Sequence, residues 1–153
     1  MNAATETTVY ERTLSIDASP ETVWEFFVDP EKLMRWKGIK AELDPTPGGT
    51  FYCEVIPGHF ARGEFVELER PNRLVYTWGW EGSDGVPPGS STIEVELANA
   101  GDGTSLRFVH NLSSAEAAAS HAQGWNHYLP RLATAAAGGD PGADPWVTDA
   151  PSM

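Results

Sequence analysis

The sequence predicts an α+β fold: a curved antiparallel sheet of about six to seven strands wrapped on one long C-terminal helix, with two short helices after strand one. Three observations carry this. Between Ile39 and Asn111, alternating apolar and polar segments recur, each closed by a turn rich in glycine or proline. Two proline-led, capped segments lie between the first strand and those that follow. The alanine-rich stretch from Ser113 to Ala137 keeps a single apolar stripe at helical spacing.

The first strand is expected over Tyr10 to Ile16, with Tyr10, Arg12, Leu14 and Ile16 on one face. Ser19-Pro20-Glu21 then places a capping hydroxyl, a proline at the first helical position and an acid near the positive end, ahead of Val23, Trp24, Phe26 and Phe27. Asp29-Pro30-Glu31 repeats the device for a second short helix running toward Trp36. Turns are expected at Pro45 to Gly49, Pro57-Gly58, Arg70 to Asn72, Gly82 to Gly89 and Gly101 to Gly103. Between them, alternation puts Phe51, Cys53 and Val55 on one face, then Leu74, Tyr76, Trp78 and Trp80. Ile93, Val95 and Leu97 follow, then Leu106, Phe108 and His110. Glu94, Glu96, Ser105 and Arg107 take the other face, so the sheet is wet on one side and needs a cover on the other.

The final helix supplies that cover. Ala118, His121, Trp125, Tyr128, Leu129, Leu132 and Ala136 fall on one stripe, Ser113 or Ser114 is the cap, and Gly138-Gly139 ends it. Pro130 removes one backbone hydrogen bond, which predicts a bend near Asn126 to Pro130. The organisation expected is a single domain over 8–139 and a Pro/Gly-rich tail over 140–153 that carries an isolated Trp146.

Composition excludes several classes. Ten Lys and Arg against 22 Asp and Glu give a net charge of −12, which repels nucleic acid and anionic membrane surfaces at long range. The start lacks a basic segment followed by an apolar run, and no stretch approaches a bilayer span, so a cytoplasmic location is expected. Cys53 lies inside an apolar strand pattern, where a buried, inert thiol is expected. His121 and His127 are six residues apart, on different sides of a helix, so no metal is expected, and no cofactor either. The chain has no Gly-x-Ser-x-Gly elbow, no phosphate-cradling glycine loop and no Cys-x-x-Cys, and no residue is assigned a catalytic role.

A strand, two short helices, a six-stranded meander and a long final helix is the order of the helix-grip superfamily of steroid-transfer, birch-pollen-allergen and polyketide-cyclase domains. More specific are Asp29-Pro30-Glu31 with Trp36, Pro47-Gly48-Gly49, Gly63-Glu64-Phe65, the run Pro71 to Trp78, Gly103-Thr104 with His110, and Gly124-Trp125 with Leu129 and Leu132. Together, over residues 8 to 146, they resemble the homologues of the C-terminal domain of the activator of the ninety-kilodalton heat-shock protein ATPase. The resemblance implies the helix-grip fold and a cavity between sheet and helix. It names a ligand only as a class, because most stand-alone members have no assigned reaction.

Inward polar and aromatic residues are therefore the candidate ligand contacts: Trp78, His110, His121, Trp125 and Tyr128. Trp80 shares the Trp78 stripe, and all these rings could instead fill the core. Each histidine could orient a ligand or shuttle a proton, or simply be satisfied by a carbonyl or hydroxyl nearby. Arg62 and Glu64 share a strand phase and could pair at the inner edge or lie exposed, and Arg12 shares the phase of Leu14. Which of Trp24 and Trp36 faces the cavity is open. Three functions fit: a carrier of a small apolar or aromatic molecule, a cyclase- or hydrolase-type enzyme using His110 or His121 as acid/base, and a chaperone-associated interaction module. A homodimer is left open.

Overall fold

Alternation along the strands becomes a sheet with one dry face. The computed structural model describes residues 8–149. Strand β1 (Val9–Ile16) is followed by helices α1 (Pro20–Val28) and α2 (Pro30–Leu33). The meander is β2 (Lys40–Leu43), β3 (Thr50–Ile56), β4 (His59–Glu69), β5 (Arg73–Trp78), β6 (Ser91–Ala100) and β7 (Gly103–Asn111). Helix α3 (Ala115–Ala136) follows, and a short 3-10 turn forms at Pro145–Val147. The seven strands are ordered β1-β7-β6-β5-β4-β3-β2, and every neighbouring pair is antiparallel. Among the described residues no helix is long and apolar enough to cross a membrane.

The caps act as the sequence implies. Ser19 accepts from the Thr22 N–H, Asp29 from Glu31 and Lys32, and Ser114, rather than Ser113, from Ala117. Helix α2 ends at Leu33, short of Trp36, but its last turn continues through Trp36 N and Lys37 N, which both donate to the Leu33 carbonyl. Gly38 then reverses the chain with φ +97°, and a Cβ there would lie 2.5 Å from Cys53 Sγ. Only glycine fits, and this turn fixes where Lys37 points. Pro130 lies inside α3, which runs through it as one helix.

Packing follows the predicted faces. Phe51, Cys53, Val55, Leu74, Tyr76, Trp78, Ile93, Val95, Leu97, Leu106, Phe108 and His110 are buried, as are Trp125, Tyr128, Leu129 and Leu132 of the α3 stripe. Val23, Trp24, Phe26 and Phe27 of α1, with Leu33 and Trp36, extend the same core. Burying each such large side chain stabilises the fold by about 1.5–3 kcal/mol relative to leaving it in water. On the wet face Arg107 pairs with Glu11 (2.8 Å) and Glu96 (3.1 Å), and Arg73 with Glu67 (3.1 Å), Glu94 (3.0 Å) and Glu96 (3.0 Å). The charges form one alternating row across β1, β7, β6, β5 and β4.

Candidate functional site

A cavity of about 570 Å³ opens between the turn joining β3 to β4, the loop joining β5 to β6, and the N-terminal half of α3. Trp78, at the end of β5, and Trp80 enter from the sheet; His121, Trp125 and Tyr128 enter from α3; Lys37 enters from beyond α2. Gly79 holds the β5–β6 loop against the strand end, since a Cβ at this position would lie 1.8 Å from the Pro87 carbonyl oxygen. Its rim carries Glu81 and Glu116, and Glu81 is bound by Arg62 at 2.6 Å.

The aromatic walls are linked by hydrogen bonds that settle both histidines. Trp125 Nε1–H donates to His110 Nδ1 (3.0 Å), so the His110 proton is on Nε2 and is directed to Ser91 Oγ (2.8 Å). Ser91 in turn donates to the Trp78 carbonyl (2.7 Å). Burial pushes His110 down to about 2, and the neighbouring His121 and Lys37 add to the effect. Trp80 Nε1–H donates to His121 Nε2 (2.9 Å), which leaves the His121 proton on Nδ1, facing the Ala117 carbonyl (2.8 Å). Burial lowers His121 too, against the opposing pull of that carbonyl. Each imidazole is neutral, with its lone pair occupied by an indole N–H.

The sequence-derived candidates separate in space. Trp78, His121, Trp125 and Tyr128 line the cavity, whereas His110 is fully buried behind Trp125, at 5.9 Å between ring centroids. Neither Trp24 nor Trp36 is on the cavity wall; Trp36 Nε1–H donates to the Phe26 carbonyl at 2.9 Å. Arg62 binds Glu81 rather than Glu64. Burial pushes the Cys53 thiol up, and its Sγ faces the Lys37 carbonyl at 3.9 Å. Tyr128 donates to Asp144 (2.9 Å), which His127 also meets at 2.8 Å, and burial together with Asp144 drives the phenol up. Burial opposes ionisation of Asp144, but hydrogen bonds from the Trp146 N–H, His127 and Tyr128 outweigh it and hold the carboxyl below its usual range. Trp146 itself lies flat on His127, with centroids 3.8 Å apart. The isolated tryptophan of the tail therefore forms part of the cavity rim.

Sequence reasoning missed Lys37. It is 2% exposed and its Nζ has no hydrogen-bond partner. The ammonium lies 4.3 Å from the Trp78 ring, 4.5 Å from Trp125, 5.3 Å from Trp36 and 5.5 Å from Phe51, an aromatic cage. Burial lowers it to about 8, with Cys53 opposing. Trp78 Nε1 is the other buried side-chain donor without a partner among the described residues. A signal did exist: Leu33, Trp36 and Lys37 are spaced i, i+3, i+4, which puts the lysine on the buried stripe.

A curved antiparallel sheet closed on a long C-terminal helix, with two short helices after the first strand, is the helix-grip, START-like fold. The family model described as activator of Hsp90 ATPase homolog 1-like protein matches residues 17–137, and the chain belongs to that family. The AHSA1-like protein of Rhizobium etli is 48% identical in its solution structure, covering 90% of this chain and 87% of that one, with a TM-score of 0.71. CalU16 of Micromonospora echinospora, also in solution, is 30% identical, covering 94% of this chain and 73% of that one, with a TM-score of 0.76. The Aha1 dimer of Colwellia psychrerythraea shares the fold at 17% identity, covering 84% and 96%, with a TM-score of 0.73. No curated protein matches the chain.

Proposed function

We propose that this protein binds and carries a small, largely aromatic or apolar molecule in the cavity between sheet and α3. The observation that supports it is the opening itself: about 570 Å³ of space beside half-buried Trp80 and His121, with Trp78, Trp125 and Tyr128, each at most 4% exposed, closing its floor. That volume lies in the usual range for small-molecule sites, roughly 300–1,000 Å³, and burial of a flat guest against indoles is favourable. Acid/base catalysis by histidine has little support, because a protonated His110 or His121 would set an N–H against an indole N–H. An interaction module needs an exposed apolar patch, and the large exposed hydrophobics among the described residues are Ile39 and Val66.

Native mass spectrometry of protein purified from its own host tests this, by comparing the intact mass with that after denaturation. A stoichiometric small-molecule adduct is expected. No adduct, together with no thermal shift across a library of apolar compounds, would overturn the carrier reading, because an occupied cavity must stabilise the fold by linkage.

A further inference from the structure

Lys37 sits on the cavity wall with no counterion and no hydrogen-bond partner. The rings round it stabilise a cation through their faces, but they supply no acceptor. An ammonium withdrawn from water into such a place is costly unless something charged and hydrogen-bonding meets it. Nothing within the described chain does. The Trp78 indole, whose face lies against the ammonium, has its own N–H unpaired as well. Both atoms are shut off from solvent by the rings of the cage, so an acceptor that arrives from outside meets them only by parting those rings. A purely apolar guest would leave both unsatisfied, so the pair narrows what the cavity can favour.

Charge narrows it further. Lys37 is the one cation among the residues lining the cavity, and the acids there, Glu81 and Glu116, are at the rim. A single negative charge is matched; a dianionic phosphate would keep one charge unpaired beside those acids. The rings around the ammonium favour a flat body next to the anionic group, with Trp78 and Trp125 5.3 Å apart between centroids and tilted by 56°. We propose that the cavity selects small aromatic carboxylates, the carboxylate accepting hydrogen bonds from Lys37 Nζ and Trp78 Nε1 while the ring packs against Trp125. This rests on the carrier reading and names its ligand class. The long-range repulsion of a chain carrying −12 does not prevent it, since screening confines such fields to about 8 Å at physiological ionic strength.

Isothermal titration calorimetry of the full chain with naphthoate and with naphthamide, its neutral counterpart of like shape, tests the proposal. Naphthoate is expected to bind roughly 10- to 100-fold more tightly, the worth of a charge-assisted hydrogen bond in a dry site. Lys37→Met, which keeps an unbranched chain of similar length, should abolish that preference and still bind naphthamide. Trp78→Phe should reduce the preference by a smaller factor. If naphthamide binds wild type as well as naphthoate does, or if Lys37→Met keeps the preference, the carboxylate inference is overturned and the carrier reading stands. If neither compound binds and no apolar library compound shifts the melting temperature, both fall. Near-ultraviolet circular dichroism checks that the variants are folded, and the wild-type ratio decides the question should Lys37→Met not fold.

Discussion

On the outer face of the sheet Arg73 reaches three carboxylates and Arg107 two, whereas on the inner side Lys37 reaches none. The difference is one of solvent as much as of partner. Outside, water screens each charge, so the row of pairs contributes little per pair and serves register and solubility. Inside, no water reaches the ammonium, and the missing partner matters far more than any pair outside. The chain aligns five strands of alternating charge outside and leaves one buried cation unpaired inside, and that contrast is what the proposed guest would resolve.

The comparison is open to attack at several points. The largest effect expected is at Lys37. Its folded value of about 8 lies below the ordinary 10.5, so between these pH values the unfolded chain holds a proton that the folded chain does not. Stability present above 10.5 is thus lost as pH falls toward 8. Lys37→Met should therefore be more stable than wild type at about pH 7, by about 3 kcal/mol, with the gap closing at about pH 10. Urea melts at the two pH values check this; a variant less stable at neutral pH would mean the cage already satisfies the charge.

Next come the histidines of the same inner region. His110 is depressed from 6.5 to about 2, and His121 is lowered as well, so the unfolded chain takes up protons first. Stability present above 6.5 is lost as pH falls, at about 1.4 kcal/mol per pH unit for His110 alone, before ordinary carboxylates titrate. Chemical denaturation from neutral pH to about pH 5 should show this slope, and His121→Gln, whose amide oxygen can still accept from Trp80, should make it shallower.

A smaller effect is expected where the tail meets α3. Asp144→Ala leaves Tyr128, His127 and the Trp146 N–H without their shared acceptor. The Asp144 side chain is 8% exposed, but His127 and Trp146 are only half-buried and can turn to water, so a loss of about 1 kcal/mol in thermal melts is expected, together with weaker protection of the Trp146 amide in hydrogen exchange. The smallest effect belongs to the outer row. Arg73→Ala should cost less than about 1 kcal/mol, and the cost should shrink further in high salt. A larger loss there than at any inner site would reverse the ranking that the two faces suggest.

What the sequence discloses depends on how far apart the interacting residues are. The dry strand faces and the α3 stripe were legible because periods of 2 and about 3.6 are local. The residues on the cavity wall followed from those periods, including Trp78, His121, Trp125 and Tyr128. Partners were not legible. Ser91 and His110 meet only because β6 and β7 pair in one particular register, and Trp80 meets His121 across the gap between sheet and helix. Asp144 lay in a stretch whose glycines and prolines signalled a tail, and nothing local marked it as the acceptor for Tyr128. Lys37 was hidden by its charge: lysine is seldom buried, and its place on the Leu33–Trp36 stripe stood out less than the caps around it.

Trp78 lies 5.3 Å from both Trp80 and Trp125, crossed at 83° and 56°. Indoles so close and so skewed share their electronic excitations, and a handed set of coupled transitions gives a signed pair of bands in circular dichroism. Under the carrier proposal, a guest that packs against Trp125 and parts it from Trp78 would change that pairing. The protein therefore carries an unlabelled optical gauge of whether its cavity is empty or filled.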